Sequence, residues 1–486
     1  MGGRAEPVTN TTTTTTARWF VRGLIIATAL GLVIRLVAVA FASRTLPFGD
    51  GIWYHSQAQI IADVHRYLAP GEYVFKAQRI PTAEHPPLFP ALLAVVVWSG
   101  HRSVVALQVT CAFLGAAGIP VVGLVGRRVG GARVGVIAAF LCAVAPSLWQ
   151  YDHLILSESL LPLTFGLLLL ALYGFWDDPT VRRGLWTGAA LGLAIYTRSE
   201  LLLFTPVIAV MVWRHPRFEH RRTRLRAVAA IGLVTAALIL PWTVRNLLVL
   251  DRPVAFTNNL ESVIGGANCK PVYTGKFIGS WSPFCNLDNM PEHTDQSERF
   301  ALLRYRGFQY ASRHLDQLPA VFAARIGRTW EVYQPFQGLG GEGRPDALWI
   351  ASTVSFWLLA VLGTIGAVRL RRRHVPIWPL VSMAPFVTAM SVLSYGFVRL
   401  RVPLDVALII LAAVPLAHWF GRDPAAEVDR ADQPDPAAVT PDDAPAMVRS
   451  TSAGAPLTTR YSTLWSRFGV PTRRPAGLCT PINAPT

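Results

Sequence analysis

Apolar blocks of about twenty residues recur along most of the chain, separated by short polar connections. A helix of about 20 apolar residues crosses the roughly 30 Å hydrocarbon core of a bilayer. The pattern predicts ten membrane-spanning helices, at 19–42, 104–125, 134–151, 156–176, 184–197, 201–213, 225–243, 348–368, 377–395 and 402–420. The shorter apolar stretch at 86–98 favours a re-entrant or interfacial segment, so a total of ten to thirteen fits the pattern.

The two ends of the chain lack these blocks. Residues 1–18 contain a threonine tract and are predicted to form a disordered leader. Residues 421–486 are rich in Pro, Ala, Asp and Thr and are predicted to form a disordered tail. The first span has the basic flank of a signal peptide, but its apolar run is too long and Arg35 interrupts it, which favours a retained helix. Residues 19–420 are therefore the predicted membrane domain.

Arginine is unevenly distributed among the connections. Those at 126–133, 177–183, 214–226 and 369–374 contain fifteen arginines, whereas the alternate ones at 152–155, 198–200 and 396–402 contain three. Because arginine-rich loops stay in the cytoplasm, the bias places the leader and the tail there. Two long segments then lie outside, a first outer loop at 43–103 and a second at 245–347, long enough for a small domain or cap.

Composition supports this class and excludes others. The chain is 52% hydrophobic and only 15% charged, with a mean hydropathy of +0.37. These values argue against a soluble α/β enzyme, a disordered protein and a small disulfide-rich module. A net charge of +16 would suggest nucleic acid in a soluble protein, but here the arginines flank the spans, so no nucleic-acid partner is predicted.

Ionisable residues collect at the predicted outer ends of the spans. They are Asp50, Glu84, His85, Asp152, His153, Glu158, Arg198, Glu200, Arg245, Arg399 and Arg401, with Asn246 beside them. A charge at membrane depth is costly, so it normally has a partner or a function. A ring of such groups from distant loops predicts a ligand site at the outer face.

Carboxylates in this ring suit proton transfer. Asp50 lies between Gly49 and Gly51, which permit a tight turn, and a carboxylate there suits a general base for a hydroxyl group. A simple helix cap or turn is the alternative. Glu84 and His85 precede two prolines and could position a substrate or bind a metal, or form a structural hydrogen-bonded pair.

The next outer turn brings three more ionisable residues together. Asp152, His153 and Glu158 lie within seven positions. Glu158 also suits the first turn of a helix through the helix dipole, which is its alternative role.

Arginines outside oppose the positive-inside trend and need a reason. Arg198 and Glu200 interrupt two short apolar segments, and the fork of Arg198 matches a phosphate, although a local pair with Glu200 needs no function. Arg245, Arg399 and Arg401 suit an anionic ligand such as a lipid-linked phosphate, or ordinary anionic headgroups. Arg35, in mid-span, suits an inward carboxylate from another helix.

Two cysteines share the long outer segment. Cys269 and Cys285 enclose 15 residues on the oxidising side. A disulfide there would contribute roughly 3 kcal/mol and fix the cap. Two free thiols are the alternative.

The order of these motifs resembles a known pattern. Asp50 is followed by EHPPLFPALLA, GRRVGGARVG, SESLLPLTFGLLLLALY, GLAIYTRSE, PWTVRN and RLRVPL. Over residues 19–420 the chain resembles bacterial membrane glycosyltransferases of the GT-C type, nearest to family 39, the protein mannosyltransferases and the lipid A aminoarabinose transferases. Those mannosyltransferases carry an Asp-Glu pair where this chain has Asp50-Gly51.

The resemblance implies an all-α GT-C-like bundle that moves a sugar, with inversion, from a polyprenyl-phosphate donor to an acceptor outside the plasma membrane. Asp50 would be the catalytic base, and Arg198, Arg245 and Arg399 would hold the donor phosphate. The acceptor would be a glycolipid, an envelope glycan or a protein. No cofactor is required, although a carboxylate-bound divalent cation could assist. A glycolipid transporter or flippase is the alternative, and it would predict internal repeats and mid-membrane charges.

Overall fold

The structure, a computed structural model, describes residues 11–47, 49–218, 220–286, 295–337 and 344–419, with side chains from residue 18 onward. Within these ranges the chain is helical, and one isolated β-bridge joins Leu68 to Pro81. The predicted tail at 421–486 lies outside the described residues. The predicted leader at 1–18 does so only in part, since the first helix already begins at Thr11.

Eighteen α-helices occur in the described residues. The first nine are α1 (Thr11–Phe41), α2 (Asp50–Val64), α3 (Pro70–Lys76), α4 (Leu88–Trp98), α5 (Val104–Gly130), α6 (Ala132–Val144), α7 (Pro146–Trp149), α8 (Leu161–Asp177) and α9 (Val181–Thr197). The others are α10 (Thr205–Trp213), α11 (Arg221–Val249), α12 (Asn259–Ala267), α13 (Gln296–Arg313), α14 (Leu318–Thr329), α15 (Asp346–Arg372), α16 (Trp378–Val381), α17 (Met383–Leu393) and α18 (Val402–Trp419).

Five helices of the described chain are long and apolar enough to cross a membrane, and six if the bent pair α6 and α7 is one span. The five long ones coincide with predicted spans. The predicted spans at 156–176, 184–197, 201–213 and 377–395 instead contain helices of 9 to 17 residues. Short 3₁₀ turns interrupt two of them, at Ser157–Ser159 and Ser199–Phe204. The polytopic helical class is confirmed, and within the described residues five or six spans qualify by helix length and composition.

Small residues let the central helices approach closely. Helix α5 packs against α1, α6 and α8, and α18 packs against α15 and α6. A Cβ atom on Gly135 of α6 would lie 2.5 Å from the carbonyl oxygen of Gly123 in α5, so only glycine fits at this crossing. Helix α18 is buried from Val402 to Pro415 and forms the centre of the bundle. This packing by small residues is typical of helices in membranes.

The two segments predicted to lie outside are folded. The first contains α2, α3 and the 11-residue α4, which is too short to span. The second contains α12, α13 and α14, and it begins later than predicted because α11 continues to Val249. Arg245 and Asn246 are therefore helical residues.

A disulfide closes part of the second segment. Cys269 and Cys285 are bonded, with an S–S distance of 2.02 Å and a Cα–Cα distance of 6.3 Å. We refer to residues 269–285 as the disulfide loop. Its interior packs Val272 and Tyr273 against Val321 of α14.

Candidate active site

Asp50 is the first residue of α2 and follows Gly49, whose φ of 140° is favourable only for glycine. The next residue is equally constrained. A Cβ atom at Gly51 would lie 2.3 Å from the carbonyl oxygen of Leu154. The start of α2 thus lies directly against the turn 152–154, and the Asp50-Gly51 pair is a steric requirement of this chain.

Charged residues from four separate segments meet at Asp50. Arg399 donates from Nη2 to Oδ2 of Asp50 at 2.7 Å and from Nε to Oε1 of Glu158 at 2.6 Å. Arg198 donates to the same oxygen of Glu158 at 2.6 Å and, from Nε, to Glu200 at 2.8 Å. The chain therefore forms a continuous network of three carboxylates and two guanidinium groups, which we call the acid–arginine network.

Burial differs sharply along this network. The Glu158 side chain is 0% exposed and lies between both arginines. The Asp50 side chain is 36% exposed, and those of Arg399 and Arg198 are 11% and 17% exposed. Glu158 is therefore the internal anchor, and Asp50 is the carboxylate that a ligand can reach.

A second set of polar groups connects Asp50 to Glu158. The Nε2 atom of His85 lies 3.8 Å from Oδ1 of Asp50, and its Nδ1 lies 3.4 Å from the hydroxyl of Tyr54. Tyr54 donates to Oγ of Ser157 at 3.3 Å, and Ser157 lies beside Glu158. Since Tyr54 is one turn after Asp50 on α2, its place on the same helix face follows from helical spacing.

Glu84 lies where the two outer segments meet. Its Oε2 atom accepts hydrogen bonds from Nε1 of Trp53 at 2.9 Å and from Nε2 of Gln296 at 3.0 Å. Gln296 is the first residue of α13 and also accepts a hydrogen bond from Thr82. The second outer segment is therefore fastened next to the acid–arginine network.

The environment separates the pKa values of these groups. Burial raises the pKa of Asp50, but Arg399 and then His85 lower it, and the result is a pKa of about 2. Burial and the nearby Asp50 carboxylate raise the pKa of Glu84 to about 7. Burial lowers the pKa of His85, and the nearby Asp50 carboxylate opposes that shift.

Besides Glu84 and His85, four candidate residues lie outside the acid–arginine network. Asp152 forms a buried ion pair with Arg35 at 3.0 Å, the inward carboxylate that Arg35 was expected to find. His153 is buried, and its carbonyl oxygen accepts a hydrogen bond from Gln108. The other two are arginines.

Arg401 points away from the site. Its guanidinium donates to the carbonyl oxygen of Thr329, the last residue of α14, and lies 2.6 Å from Glu331 and 3.4 Å from Asp405 in a buried cluster. The expectation that Arg401 binds ligand at the outer rim is not supported by this placement, because the side chain is 2% exposed.

Arg245 is held by the first outer loop. It donates to the carbonyl oxygens of Thr82 at 2.6 Å and Tyr67 at 2.8 Å, and it stacks over the ring of Trp242. It thus supports the chain that carries Glu84 and His85, and it does not contact the acid–arginine network directly.

In the described part of the chain, no group of three or more His, Cys, Asp or Glu side chains is arranged to hold a metal ion.

The sequence analysis missed Trp53, Tyr54, Ser157 and Gln296. Helical spacing from Asp50 was the signal that could have found Tyr54, whereas no sequence signal marks Gln296.

The helices and the network together define the class, an integral membrane protein with the helical fold of GT-C glycosyltransferases. Residues 84–244 match the family model described as dolichyl-phosphate-mannose-protein mannosyltransferase. This match agrees with the resemblance inferred from the sequence. No curated protein matches the chain significantly in sequence.

Similar solved structures include the oligosaccharyltransferase AglB of Archaeoglobus fulgidus. Its complex with an inhibitory peptide and a dolichol-phosphate has a TM-score of 0.50. The form tethered to an acceptor peptide with the NVT sequon has a TM-score of 0.52. Both are 16% identical over 85% of this chain and 51% of that chain, so the chain spans about half the length of the protein it matches. ArnT from Cupriavidus metallidurans, bound to undecaprenyl phosphate, is 15% identical over 86% of this chain and 81% of that chain, with a TM-score of 0.34.

Proposed function

We propose that the protein is an inverting glycosyltransferase that moves a hexosyl or pentosyl group from a polyprenyl-phosphate donor to an extracytoplasmic acceptor. The observation that carries the proposal is the exposed Asp50 carboxylate bound by Arg399, which is itself anchored on buried Glu158. This places a proton acceptor beside a cation suited to phosphate. The GT-C fold and the partial family match support the same activity.

The proposed reaction is a single displacement. The acceptor hydroxyl attacks C1 of the sugar, its proton passes to Asp50, and the bond from C1 to the phosphate oxygen breaks. The polyprenyl phosphate leaves with both electrons of that bond, and its growing charge is stabilised by Arg399 and Arg198. Attack from the face opposite the leaving phosphate inverts the anomeric centre.

The low pKa of Asp50 fits this scheme only if Arg399 changes partner. With Arg399 bound, the pKa of Asp50 is about 2, and so weak a base accepts a proton poorly. When a donor phosphate takes a hydrogen bond from Arg399, the Asp50 carboxylate loses part of its cationic stabilisation and becomes more basic. Donor binding would thereby prepare the base for the acceptor.

The proposed location of the site rests on the uneven distribution of arginine among the connections between the spans. The arginine-rich connections are proposed to lie in the cytoplasm of a plasma-membrane protein, so Asp50 faces outward. The donor and acceptor would meet there, between the two outer segments. The scheme uses no cofactor, since guanidinium groups supply the positive charge. The acceptor is proposed to be a glycolipid, an envelope glycan or a protein.

The decisive experiment compares Asp50→Asn with Asp63→Asn. Both residues are on α2 and both contact an arginine, but Asp63 pairs with Arg102 at the far end of the helix. A deletion strain is complemented with each variant, and its glycolipids and glycans are profiled. We expect Asp63→Asn to restore the missing sugar, while Asp50→Asn leaves it absent and lets the lipid-linked precursor accumulate. Full restoration by Asp50→Asn would refute the assigned role.

A further inference from the structure

Arg325 is a buried arginine of α14 with unusual partners. Its side chain is 2% exposed, and within the described ranges it has no carboxylate at ion-pair distance. A buried guanidinium without a carboxylate is costly unless its N–H groups are satisfied. Nη2 donates to the carbonyl oxygen of Ala267 at 2.6 Å and to Oδ1 of Asn268 at 3.0 Å, and Nη1 donates to the carbonyl oxygen of Val392 at 2.8 Å. Arg325 therefore bridges two distant chain segments.

One of these segments is residues 267–268, which lies directly before the disulfide loop. Arg328, one turn further along α14, donates to the carbonyl oxygens of Ile278 at 2.6 Å and Lys276 at 2.8 Å. The disulfide loop is thus bound to α14 at its entrance and near its middle. Because a disulfide joins Cys269 to Cys285, the stretch of backbone that carries these carbonyl groups is covalently closed into a ring.

The other segment, residues 392–397, contains the last two residues of α17 and the connection to the 3₁₀ turn Val398–Arg401, which carries Arg399. The amide of Gly396 donates to the carbonyl oxygen of Gly279 in the disulfide loop at 2.8 Å. A Cβ atom at Gly396 would lie 2.6 Å from the carbonyl oxygen of Arg325, so the connection lies directly on α14.

The last residue of this connection is fixed as well. The amide of Phe397 donates to Oγ1 of Thr329 at 3.1 Å. Both ends of the connection are therefore held by α14 or the disulfide loop, two residues before Arg399.

We propose that Arg325 is a positioning residue for Arg399 and that the Cys269–Cys285 disulfide contributes through the same contacts. This inference rests on the proposed function, in which Arg399 binds the donor phosphate. Arg399 must satisfy Asp50 and Glu158 at once, and a guanidinium aims two hydrogen bonds correctly only when its backbone is fixed. Arg325 supplies that constraint by joining α17 to residues 267–268, directly before the disulfide loop.

The test measures binding of undecaprenyl phosphate to the full chain in nanodiscs. Arg325→Lys keeps the charge but cannot reach three acceptors, so we expect affinity to fall roughly tenfold. Cys269→Ser with Cys285→Ser should lower affinity in the same direction while Arg325 stays in place. Arg304→Lys is the matched control, because Arg304 is an exposed arginine of the same outer segment, paired with Glu261.

A double-mutant cycle separates positioning from a structural effect. In an Arg399→Ala background, Arg325→Lys and the cysteine double variant should cause no further loss of binding. An equal loss in both backgrounds, or wild-type affinity for Arg325→Lys, would overturn the positioning role and leave the proposed function standing. Wild-type affinity for Arg399→Ala alone would overturn the phosphate-binding role as well, so the two failures are distinguishable.

Discussion

The guanidinium of Arg399 lies 2.7 Å from the carboxylate of Asp50, although 349 positions separate the two residues in the chain. Asp50 is the first residue of α2, in the first outer segment, and Arg399 lies in the 3₁₀ turn directly before α18. The contact therefore joins the first outer segment to the turn before the last described helix. It also links the two chemical tasks of the proposed reaction, because one partner accepts a proton and the other neutralises a phosphate.

Glu158→Gln should harm the fold more than Asp50→Asn does. Glu158 is fully buried between Arg198 and Arg399, and its neutralisation would remove the anion that lies between the two guanidinium groups. Breaking a buried pair costs about 3–5 kcal/mol. Thermal unfolding in detergent should show a clear loss of stability for Glu158→Gln and little change for Asp50→Asn. Equal stability of the two variants would contradict the anchoring role.

Gly51→Ala should reduce both stability and activity. The added Cβ would meet the carbonyl oxygen of Leu154 and force α2 away from the turn that precedes Glu158. Overpacking of this kind costs about 1–3 kcal/mol. Gly71→Ala is the control, since a Cβ at Gly71 in α3 meets nothing within 4 Å. If both variants unfold at the wild-type temperature, the contact does not constrain residue 51.

The raised pKa of Glu84 predicts that the stability of the fold depends on pH in a specific range. Its pKa is about 7 in the fold against an ordinary value of 4.5. A carboxyl whose pKa is raised by folding stabilises the fold in its protonated form, and this contribution is lost as the pH rises through the folded value. Between about pH 4.5 and 7.5, the wild type should therefore lose stability relative to Glu84→Gln, which cannot ionise.

Melting curves across that pH range check the effect. Glu298→Gln serves as the control, because the Glu298 side chain is 37% exposed. A constant difference between wild type and Glu84→Gln would show that Glu84 does not titrate in this window.

The Arg35–Asp152 pair should be strongly coupled. Both side chains are at most 2% exposed, so either Arg35→Met or Asp152→Asn alone leaves one buried group without its partner. We expect about 3–5 kcal/mol of destabilisation for each single variant and much less than the sum for the double variant. Unfolding measurements on all four proteins give the coupling. Simple additivity would mean that the two groups act independently.

Topology can be tested apart from chemistry. A reporter fused after residue 300 should give an extracytoplasmic signal, because residue 300 lies in α13 within the second outer segment. A reporter fused after residue 219, between two arginine-rich stretches, should give a cytoplasmic signal. The reverse result would place Asp50 on the cytoplasmic side.

The sequence predicted features that depend on local apolarity. The five long helices follow from uninterrupted apolar length, and the meeting of Asp50, Glu158 and Arg399 follows from their places at the same ends of the spans. The 3₁₀ turn at Ser157–Ser159 could not be predicted in this way, because hydropathy averaged along a window hides a single tight turn. The apparent span at 156–176 was therefore longer than the helix that forms.

The direction in which a side chain points could not be predicted from the sequence pattern. Arg399 and Arg401 look equivalent in the sequence, but they lie on a 3₁₀ turn with three residues per turn, so residues two apart face different ways. Arg399 enters the acid–arginine network, whereas Arg401 forms buried pairs with Glu331 and Asp405. The position of Gln296 beside Glu84 depends on how the second outer segment folds, and no sequence motif predicts it.

The ion pair of Arg35 has a consequence for biosynthesis. Arg35 leaves the ribosome more than a hundred residues before Asp152, the acid that neutralises it. During that interval α1 carries an uncompensated cation in its middle, which makes a lone helix costly to release into lipid. The nascent α1 should therefore stay beside the insertion machinery until α5, α6 and the 152–154 turn emerge, and the first three predicted spans would be released together.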